Sequence, residues 1–511
     1  MNGAESLIQT ARTAGVEVCF ANPGTTEMPL VAALDSVPGI RAVLGVFEGV
    51  CTGAADGYAR MTGRPALTLL HLGPGFANGI ANLHNARRAR SPVVNLIGDQ
   101  ASWHLAADAP LTSDIASLAR PVGWVREVPT ARDASAAMAE ALERAQGPPG
   151  QVATLVLPAD AQWEDAKGPT PVARERERRA PDEGRLDEIA GETREGTTVV
   201  LLGGDGLGEA GLRAAHRLAA ATGWAVLLET FSARVERGAG LPAFPGLPYF
   251  PEQASEALAG ADQILLAGAA APVAFFGYPG GRSALEPEGC ALLPLARPGD
   301  DTAAALEGLA DVLGAAPAPG VPARPAPEPA RGALNPATLG VTLAALQPEN
   351  AILVDEAATT GTGYAPFAWN APRHTALGLT GGAIGQGLPC ATGAAIACPD
   401  RPVIAFQADG SGLYTLQALW TQAREGLDVT TIICANRAYR ILQVELARAG
   451  IAEPGPNARA LTDLSSPVID WVAAASAFGV SAESVDTAEA FAASFQRALA
   501  EPGPHLIEAV L

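Results

Sequence analysis

Residues 403–439 read VIAFQADGSGLYTLQALWTQAREGLDVTTIICANRAY. Two apolar, β-branched runs, VIAF and VTTIICA, bracket a segment of helix length, a pattern that predicts strand, helix and a second, parallel strand. Asp409 stands at the end of the first run and Asn436 at the end of the second, 27 residues on. In a parallel sheet both side chains then reach the carboxyl edge, where open α/β sheets bind ligands. A carboxylate and an amide oxygen are hard donors suited to Mg2+, which takes few protein ligands and completes its shell with other oxygens, phosphate among them. Gly410 and Ser411 follow at the expected helix start, where free amides and the helix dipole favour a diphosphate.

The same rhythm extends outward. VEVCF, PALTLL and SPVVNLIGD near the N-terminus, TTVVLLGG and ADQILLAGA in the middle, and AILVDE before the quoted stretch all read as buried parallel strands separated by Ala-rich helical segments. A charged, helix-favouring passage at 173–192 and a Pro/Ala-rich linker at 314–333 break the pattern. Three α/β domains, each a doubly wound parallel sheet, are expected at about 1–170, 171–320 and 330–511. GGDGLG at 203–208 follows a strand and opens a helix, yet its spacing departs from the dinucleotide fingerprint, so a structural βα turn is expected there.

The bulk composition excludes some functions. The net charge is −20, with 54 acidic against 34 basic residues, a surface that repels nucleic acid and anionic membranes. No apolar run reaches membrane length and no signal-peptide pattern opens the chain. The six cysteines form no CxxC pair and mostly sit in apolar runs, as buried thiols do. A cytoplasmic setting is expected.

A second candidate centre lies at RAVLGVFEGVCTGAADGYARMTGRP, residues 41–65. Glu48 ends an apolar strand and opens a Gly/Ala-rich helix, where a carboxylate also suits the helix dipole. Taken with the Asp409–Asn436 spacing, the chain resembles the thiamine-diphosphate-dependent enzymes over essentially its whole length, and is most similar to benzoylformate decarboxylase, with acetolactate synthase next. The family signature of Gly-Asp-Gly and, after this gap, Asn-Asn becomes Ala-Asp-Gly and Ala-Asn here, with Ala408 and Ala435 as the departures. Its activating glutamate, then seven residues, then an acidic-Gly-Tyr-Ala run is matched by Glu48 and Asp56-Gly57-Tyr58-Ala59.

The resemblance implies thiamine diphosphate and Mg2+ as cofactors, with the metal held by Asp409, Asn436 and the main-chain carbonyl of Ala438. It implies that Glu48 bonds the aminopyrimidine ring and drives formation of the carbon nucleophile, a task for a carboxyl group in a protected apolar pocket. FANPGTTEMPL puts Thr25 at an active-site serine, LLHLGPGFANG puts His71 at one of two catalytic histidines, and Gly73-Pro74-Gly75 follows the synthase-like loop. LTGGAIGQGLPCATGAA supplies Gly382 and Ile384, the latter at the apolar residue wedged between the cofactor's two rings. DEAATTGTG (355–363) supplies Thr359 for the diphosphate, and Asn78, Gly410, Ser411 and Tyr439 complete the expected cofactor contacts.

The second family histidine has no counterpart: AAAPVAFFGYPGG carries Phe275, Phe276 and Tyr278 instead. Of six histidines, His71 is the main catalytic candidate and His104 borders the same region, whereas His84 is expected to pack or face solvent, and His216 and His374 carry no catalytic signature. Arg437 and Arg440 stand where small residues are usual, and Arg440 could either steer a substrate carboxylate or face solvent. The expected reaction is decarboxylation of a 2-oxo acid, with release of an aldehyde or its ligation to a second carbonyl. An acetolactate-synthase-like transferase and, from another class, a cofactor-binding homologue with a regulatory or redox role are the alternatives. The family places the cofactor between subunits, so a homodimer or homotetramer is expected.

Overall fold

The computed structural model describes residues 1–173, 177–193, 196–322 and 324–511. Residues 174–176 of the charged passage and residue 323 of the Pro/Ala linker lie outside the described residues.

The chain forms two compact units: Met1–Glu175 with Ala326–Ala368 and Leu379–Leu511, and Arg176–Pro325 with Trp369–Gly378. The N-terminal segment carries β1 (Val18–Asn22), β2 (Arg41–Leu44), β3 (Ala66–Leu70), β4 (Val93–Asp99), β5 (Trp124–Glu127) and β6 (Val152–Pro158). The middle segment carries β7 (Thr198–Leu202), β8 (Ala225–Leu228), β9 (Val235–Arg237), β10 (Gln263–Ala267) and β11 (Ala291–Ala296). The C-terminal segment carries β12 (Ala351–Glu356), β13 (His374–Gly378), β14 (Val403–Ala408), β15 (Val429–Ala435), β16 (Ser481–Val485) and β17 (His505–Val510).

In the first unit one parallel sheet runs β2-β1-β3-β4-β6-β5, and a second includes β16-β17-β15-β14-β12, also parallel. In the second unit β11-β10-β7-β8 form a parallel sheet, and β13 pairs antiparallel with β9. This is the α/β, parallel-sheet architecture that the apolar runs imply.

Parallel sheets covered on both faces need apolar residues on both, and successive side chains alternate between them. Along β3, Leu67 and Leu69 enter one core cluster while Ala66 and Leu70 enter the other. Along β7, Val200 and Leu202 face one cluster and Val199 and Leu201 the opposite one. Burial holds the thiols of Cys19 and Cys390 up at about 12, so these cysteines are inert packing groups.

The Gly/Ala bias of TGAADGYA and GLPCATGAA has a packing cause. The Glu48–Thr62 helix lies against the Gly387–Ala397 helix so closely that a Cβ on Gly57 would stand 2.1 Å from the Cys390 carbonyl oxygen, and one on Gly393 would stand 1.9 Å from that of Ala54. At this crossing sits a buried ion pair: Arg60 donates to both carboxylate oxygens of Asp56, at 2.9 and 2.6 Å. Arg60 reaches on to Thr380 Oγ1 and Gln386 Oε1, tying this helix to the loop before the Gly387–Ala397 helix.

GGDGLG forms a short 3-10 turn, Gly204–Leu207, between β7 and the Glu209–Thr222 helix. The Asp205 carboxylate there accepts from Thr302 N–H and Oγ1 and pairs with Arg178. His374 lies in β13, and His216 in the Glu209–Thr222 helix.

Candidate active site

The first unit presents two constellations, each at the carboxyl ends of three adjacent strands. The first follows β1, β2 and β3. Glu48 is the opening residue of the Glu48–Thr62 helix, four residues beyond β2, and its Oε2 accepts from Asn78 Nδ2 at 3.0 Å. His71 caps the Leu72–Ala89 helix directly after β3. Gly75 separates the two: a Cβ there would stand 3.0 Å from Glu48 Oε1 and 3.2 Å from His71 Cβ. Thr25 opens a 3-10 turn after β1 and is exposed, and its neighbour Gly24 lies against the His71 ring, where a Cβ would come within 2.1 Å of Nδ1. Thus Thr25, Glu48, His71 and Asn78 gather at one edge of one sheet.

Glu27 is the member that sequence reading overlooked. It is fully buried, yet its carboxylate is satisfied on both oxygens. Oε2 accepts from Gly24 N–H at 2.9 Å and meets His71 Nδ1 at 2.8 Å, while Oε1 accepts from Leu72 N–H at 3.2 Å and Thr26 Oγ1 at 2.9 Å. An acceptor-only carboxylate against Nδ1 puts the ring hydrogen on that nitrogen and leaves the Nε2 lone pair for a reacting proton. The glutamate of TTEMP was visible in the sequence, but only the fold brings it 44 residues along the chain to His71.

Glu48 is half-buried, not sealed in an apolar pocket, within its own chain. His104 caps a 3-10 turn and packs its ring 5.4 Å from that of Trp103, which is 74% exposed. His84 is neither simple packing nor a surface group: its Nε2 bonds the Gly381 carbonyl oxygen at 3.1 Å.

The second constellation follows β12, β14 and β15. Asp409 is buried; its Oδ1 accepts from Gly410 N–H at 2.8 Å and its Oδ2 from Arg437 N–H at 2.6 Å. Burial pushes its pKa up, the backbone bonds oppose this, and among the described residues no basic side chain lies within ion-pair distance. Asn436 Oδ1 accepts from Ala438 N–H at 3.0 Å, and Tyr439 packs over Gly410, where a Cβ would meet its ring at 2.4 Å. Thr359 caps a 3-10 turn after β12.

Two details differ from the sequence reading. The helix after Asp409 is a single turn, Asp409–Gly412, too short for a long helix dipole, and its Gly410 N–H is taken up by Asp409 Oδ1. The Ser411 hydroxyl is engaged internally with Gln407 and the Ala408 carbonyl oxygen. Gly382 and Ile384 lie in the loop between β13 and the Gly387–Ala397 helix, Gly382 with φ +76°.

A hard cation fits these residues. A buried carboxylate without a counter-ion, beside an amide oxygen, is a donor set that a magnesium ion bound to phosphate oxygens would complete. Among the described residues no three His, Cys, Asp or Glu side chains cluster to hold a metal by themselves, so the missing ligands have to come from backbone and ligand oxygens.

Phe275 and Phe276 belong to the second unit. There Phe231, Tyr249 and Phe276 pack around Phe275 with ring centroids 4.6–5.5 Å away, and Phe276 is 52% exposed. They form a surface aromatic cluster, not a core.

Comparison with known proteins converges on one family. The thiamine pyrophosphate enzyme N-terminal TPP binding domain matches residues 1–118, and the C-terminal TPP binding domain matches residues 359–509. A Mycobacterium tuberculosis protein named "Putative acetolactate synthase large subunit IlvX" is 50% identical across 100% of this chain and 99% of its own. Benzoylformate decarboxylase of Pseudomonas aeruginosa is 32% identical over 97% of this chain and 96% of its own. The solved thiamine diphosphate-dependent 4-hydroxybenzoylformate decarboxylase of Rhodococcus jostii RHA1 superposes with a TM-score of 0.86 at 27% identity, covering 100% of this chain and 99% of that one. The chain belongs to the thiamine-diphosphate-dependent enzyme family, on the branch shared by the decarboxylases and acetolactate synthases.

Proposed function

We propose that this chain is a thiamine-diphosphate- and Mg2+-dependent 2-oxo acid decarboxylase with carboligase capacity. The observation that carries this reading is the gathering of Glu48 and His71 around Gly75, with Asn78 bonded to Glu48 and Glu27 fixing the histidine tautomer. Bound thiamine diphosphate supplies a carbon nucleophile and an electron sink, which make loss of CO2 from a 2-oxo acid feasible. Glu48 would exchange a proton with the aminopyrimidine ring, and Asn78 holds its carboxylate in place. His71, donating Nδ1–H to Glu27, presents Nε2 to receive or deliver the proton of the reacting carbonyl.

Asp409, Asn436 and the Ala438 carbonyl would hold the magnesium, with Thr359, Gly410, Ser411 and Tyr439 as the residues that would surround the diphosphate. Gly382 and Ile384 would support the cofactor, and Thr25 would face the substrate. In this reading residues 1–170 are the pyrimidine-binding domain, 171–320 the central domain and 330–511 the diphosphate-binding domain.

The active unit is a homodimer or homotetramer. Met28, next to Glu27, and Tyr414, packed against Gly385, are 46% and 53% exposed, apolar surface that a second copy would cover. That cover would also complete the enclosure that Glu48 lacks. Among the described residues no helix is long and apolar enough to cross a membrane.

A second reading, an acetolactate-synthase-like transferase joining two 2-oxo acids, is favoured by the Gly73-Pro74-Gly75 loop and by the name of the 50% identical relative. One experiment separates the two: a panel of aromatic and aliphatic 2-oxo acids, each with and without an aldehyde acceptor, scored for CO2, aldehyde and hydroxyketone. CO2 with free aldehyde supports the decarboxylase, and ligated product from two 2-oxo acids supports the transferase. With no histidine in the 269–281 stretch, proton delivery falls to His71, so added acceptor should divert product from aldehyde to hydroxyketone. No CO2 from any 2-oxo acid in the presence of cofactor and Mg2+ would overturn both.

A further inference from the structure

β12 ends on Glu356, a carboxylate only 4% exposed. Its Oε1 accepts from Gly385 N–H at 2.7 Å and Gln386 N–H at 3.2 Å. Its Oε2 accepts from Gly387 N–H at 2.7 Å and Gln407 Nε2 at 2.9 Å. Four N–H donors therefore converge on one carboxylate, and among the described residues no basic side chain lies within ion-pair distance of it. Burying a charge in this way is costly, and only an all-acceptor group satisfies such a set of donors. The fit is tight: a Cβ on Gly387 would stand 2.1 Å from Gln407 Oε1 and 2.9 Å from Glu356 Oε2.

The loop gripped by Glu356 carries Ile384. On its other flank Asn85 Nδ2 donates to the Ala383 carbonyl oxygen at 2.7 Å, and Asn85 Oδ1 accepts from Ala383 N–H at 3.3 Å. The Gly385 carbonyl oxygen accepts from Asn82 Nδ2 at 3.2 Å and Thr415 Oγ1 at 2.9 Å. Both peptide neighbours of Ile384 are thus pinned, from the Leu72–Ala89 helix on one side and from the end of β12 on the other. Among these anchors Glu356 is the charged one, and it sits on the strand that leads into Thr359.

We propose that Glu356 is a positioning residue: its buried carboxylate fixes the 385–387 backbone and thereby sets the angle at which Ile384 stands between the two rings of the cofactor. This rests on the reading of Ile384 as the wedge. Glu356 touches no reacting atom. It acts by holding the loop rigid before cofactor arrives, so the bent cofactor geometry is selected without ordering the loop at the moment of binding.

Glu356→Gln tests the proposal, because the isosteric amide turns one acceptor oxygen into a donor facing N–H groups already in place. Hydrogen–deuterium exchange of the cofactor-free protein should show amides in 381–388 exchanging at least about tenfold faster, the order expected for losing one hydrogen bond to a charged group. Exchange of the C2 proton of bound thiamine diphosphate, followed by NMR, should slow by a similar factor. Ile384→Ala is measured alongside. Parent-like loop exchange in Glu356→Gln overturns the proposal. A loosened loop with parent-like C2 exchange, while Ile384→Ala slows C2 exchange, also overturns it and leaves the wedge reading standing. If both variants exchange C2 at the parent rate, the wedge reading falls and takes the proposal with it. Should Glu356→Gln not fold, Glu356→Asp keeps the charge on a shorter arm, and parent-like loop exchange there is again the overturning result.

Discussion

Two carboxyl edges of parallel sheets within one unit carry different sets of groups. The edge at β2-β1-β3 gathers groups that can gain or lose a proton, Glu48, His71 and Glu27, bonded side chain to side chain in two pairs, Glu27 with His71 and Glu48 with Asn78. The edge at β15-β14-β12 gathers oxygens bonded chiefly by backbone amides: Asp409 to Gly410 and Arg437, Asn436 to Ala438. The architecture is the same, so the difference lies in the residues that follow each strand. Proton traffic needs mobile protons on side chains held in fixed tautomers, whereas holding a cation and a diphosphate needs rigid lone pairs and N–H groups.

The largest expected effect strikes the second edge. Asp409→Ala should abolish Mg2+-dependent retention of thiamine diphosphate, since the substitution removes the anion that the metal would neutralise. Titration calorimetry with parent-like affinity would show that the edge holds no metal.

Glu48→Gln should break the first edge without touching the second. Cofactor binding should persist, while turnover and C2 proton exchange fall by about 10²–10⁴-fold, the usual share of a general acid–base group. Calorimetry and NMR on the same sample check both halves. Equal loss of binding and rate would mean that the two edges do not divide the labour as described.

Arg60→Ala attacks the link between them. It leaves Asp56, fully buried and also bonded to Ser91 Oγ at 2.5 Å, as an unpaired charge, so stability should fall by about 3–5 kcal/mol in denaturant unfolding. Replacing both partners with apolar residues of similar size should recover much of that loss. A loss below about 1 kcal/mol for the single variant would remove the pair from any stabilising role.

Glu27→Gln has the smallest expected effect. The amide can still accept from one neighbour, but its NH2 competes for His71 Nδ1 and disturbs the tautomer. A drop in kcat/KM of about tenfold is expected, with a displaced pH profile and unchanged cofactor affinity. A parent-like pH profile would reduce Glu27 to a packing group.

Much of the fold was legible locally. Apolar runs of strand length at VEVCF, PALTLL, AILVDE and VTTIICA, buried on both faces, could only pack as parallel sheets, and β1, β3, β12 and β15 are those runs. That Asp409 and Asn436 would share one edge was legible because strand ends in such sheets converge there. The contacts of Glu27 and Glu356 were not legible, because a carboxylate in TTEMP or VDEAA has no local signal of whom it will meet. Glu27 meets a histidine 44 residues away and Glu356 a loop 29 to 31 residues away. The chain by itself determined periodicity, turn chemistry and strand-end residues, all set by neighbours in sequence. Tertiary structure alone decided which buried charges are matched to which donors, because a hydrogen bond is made at about 3 Å and that distance exists only once the sheets and helices have packed.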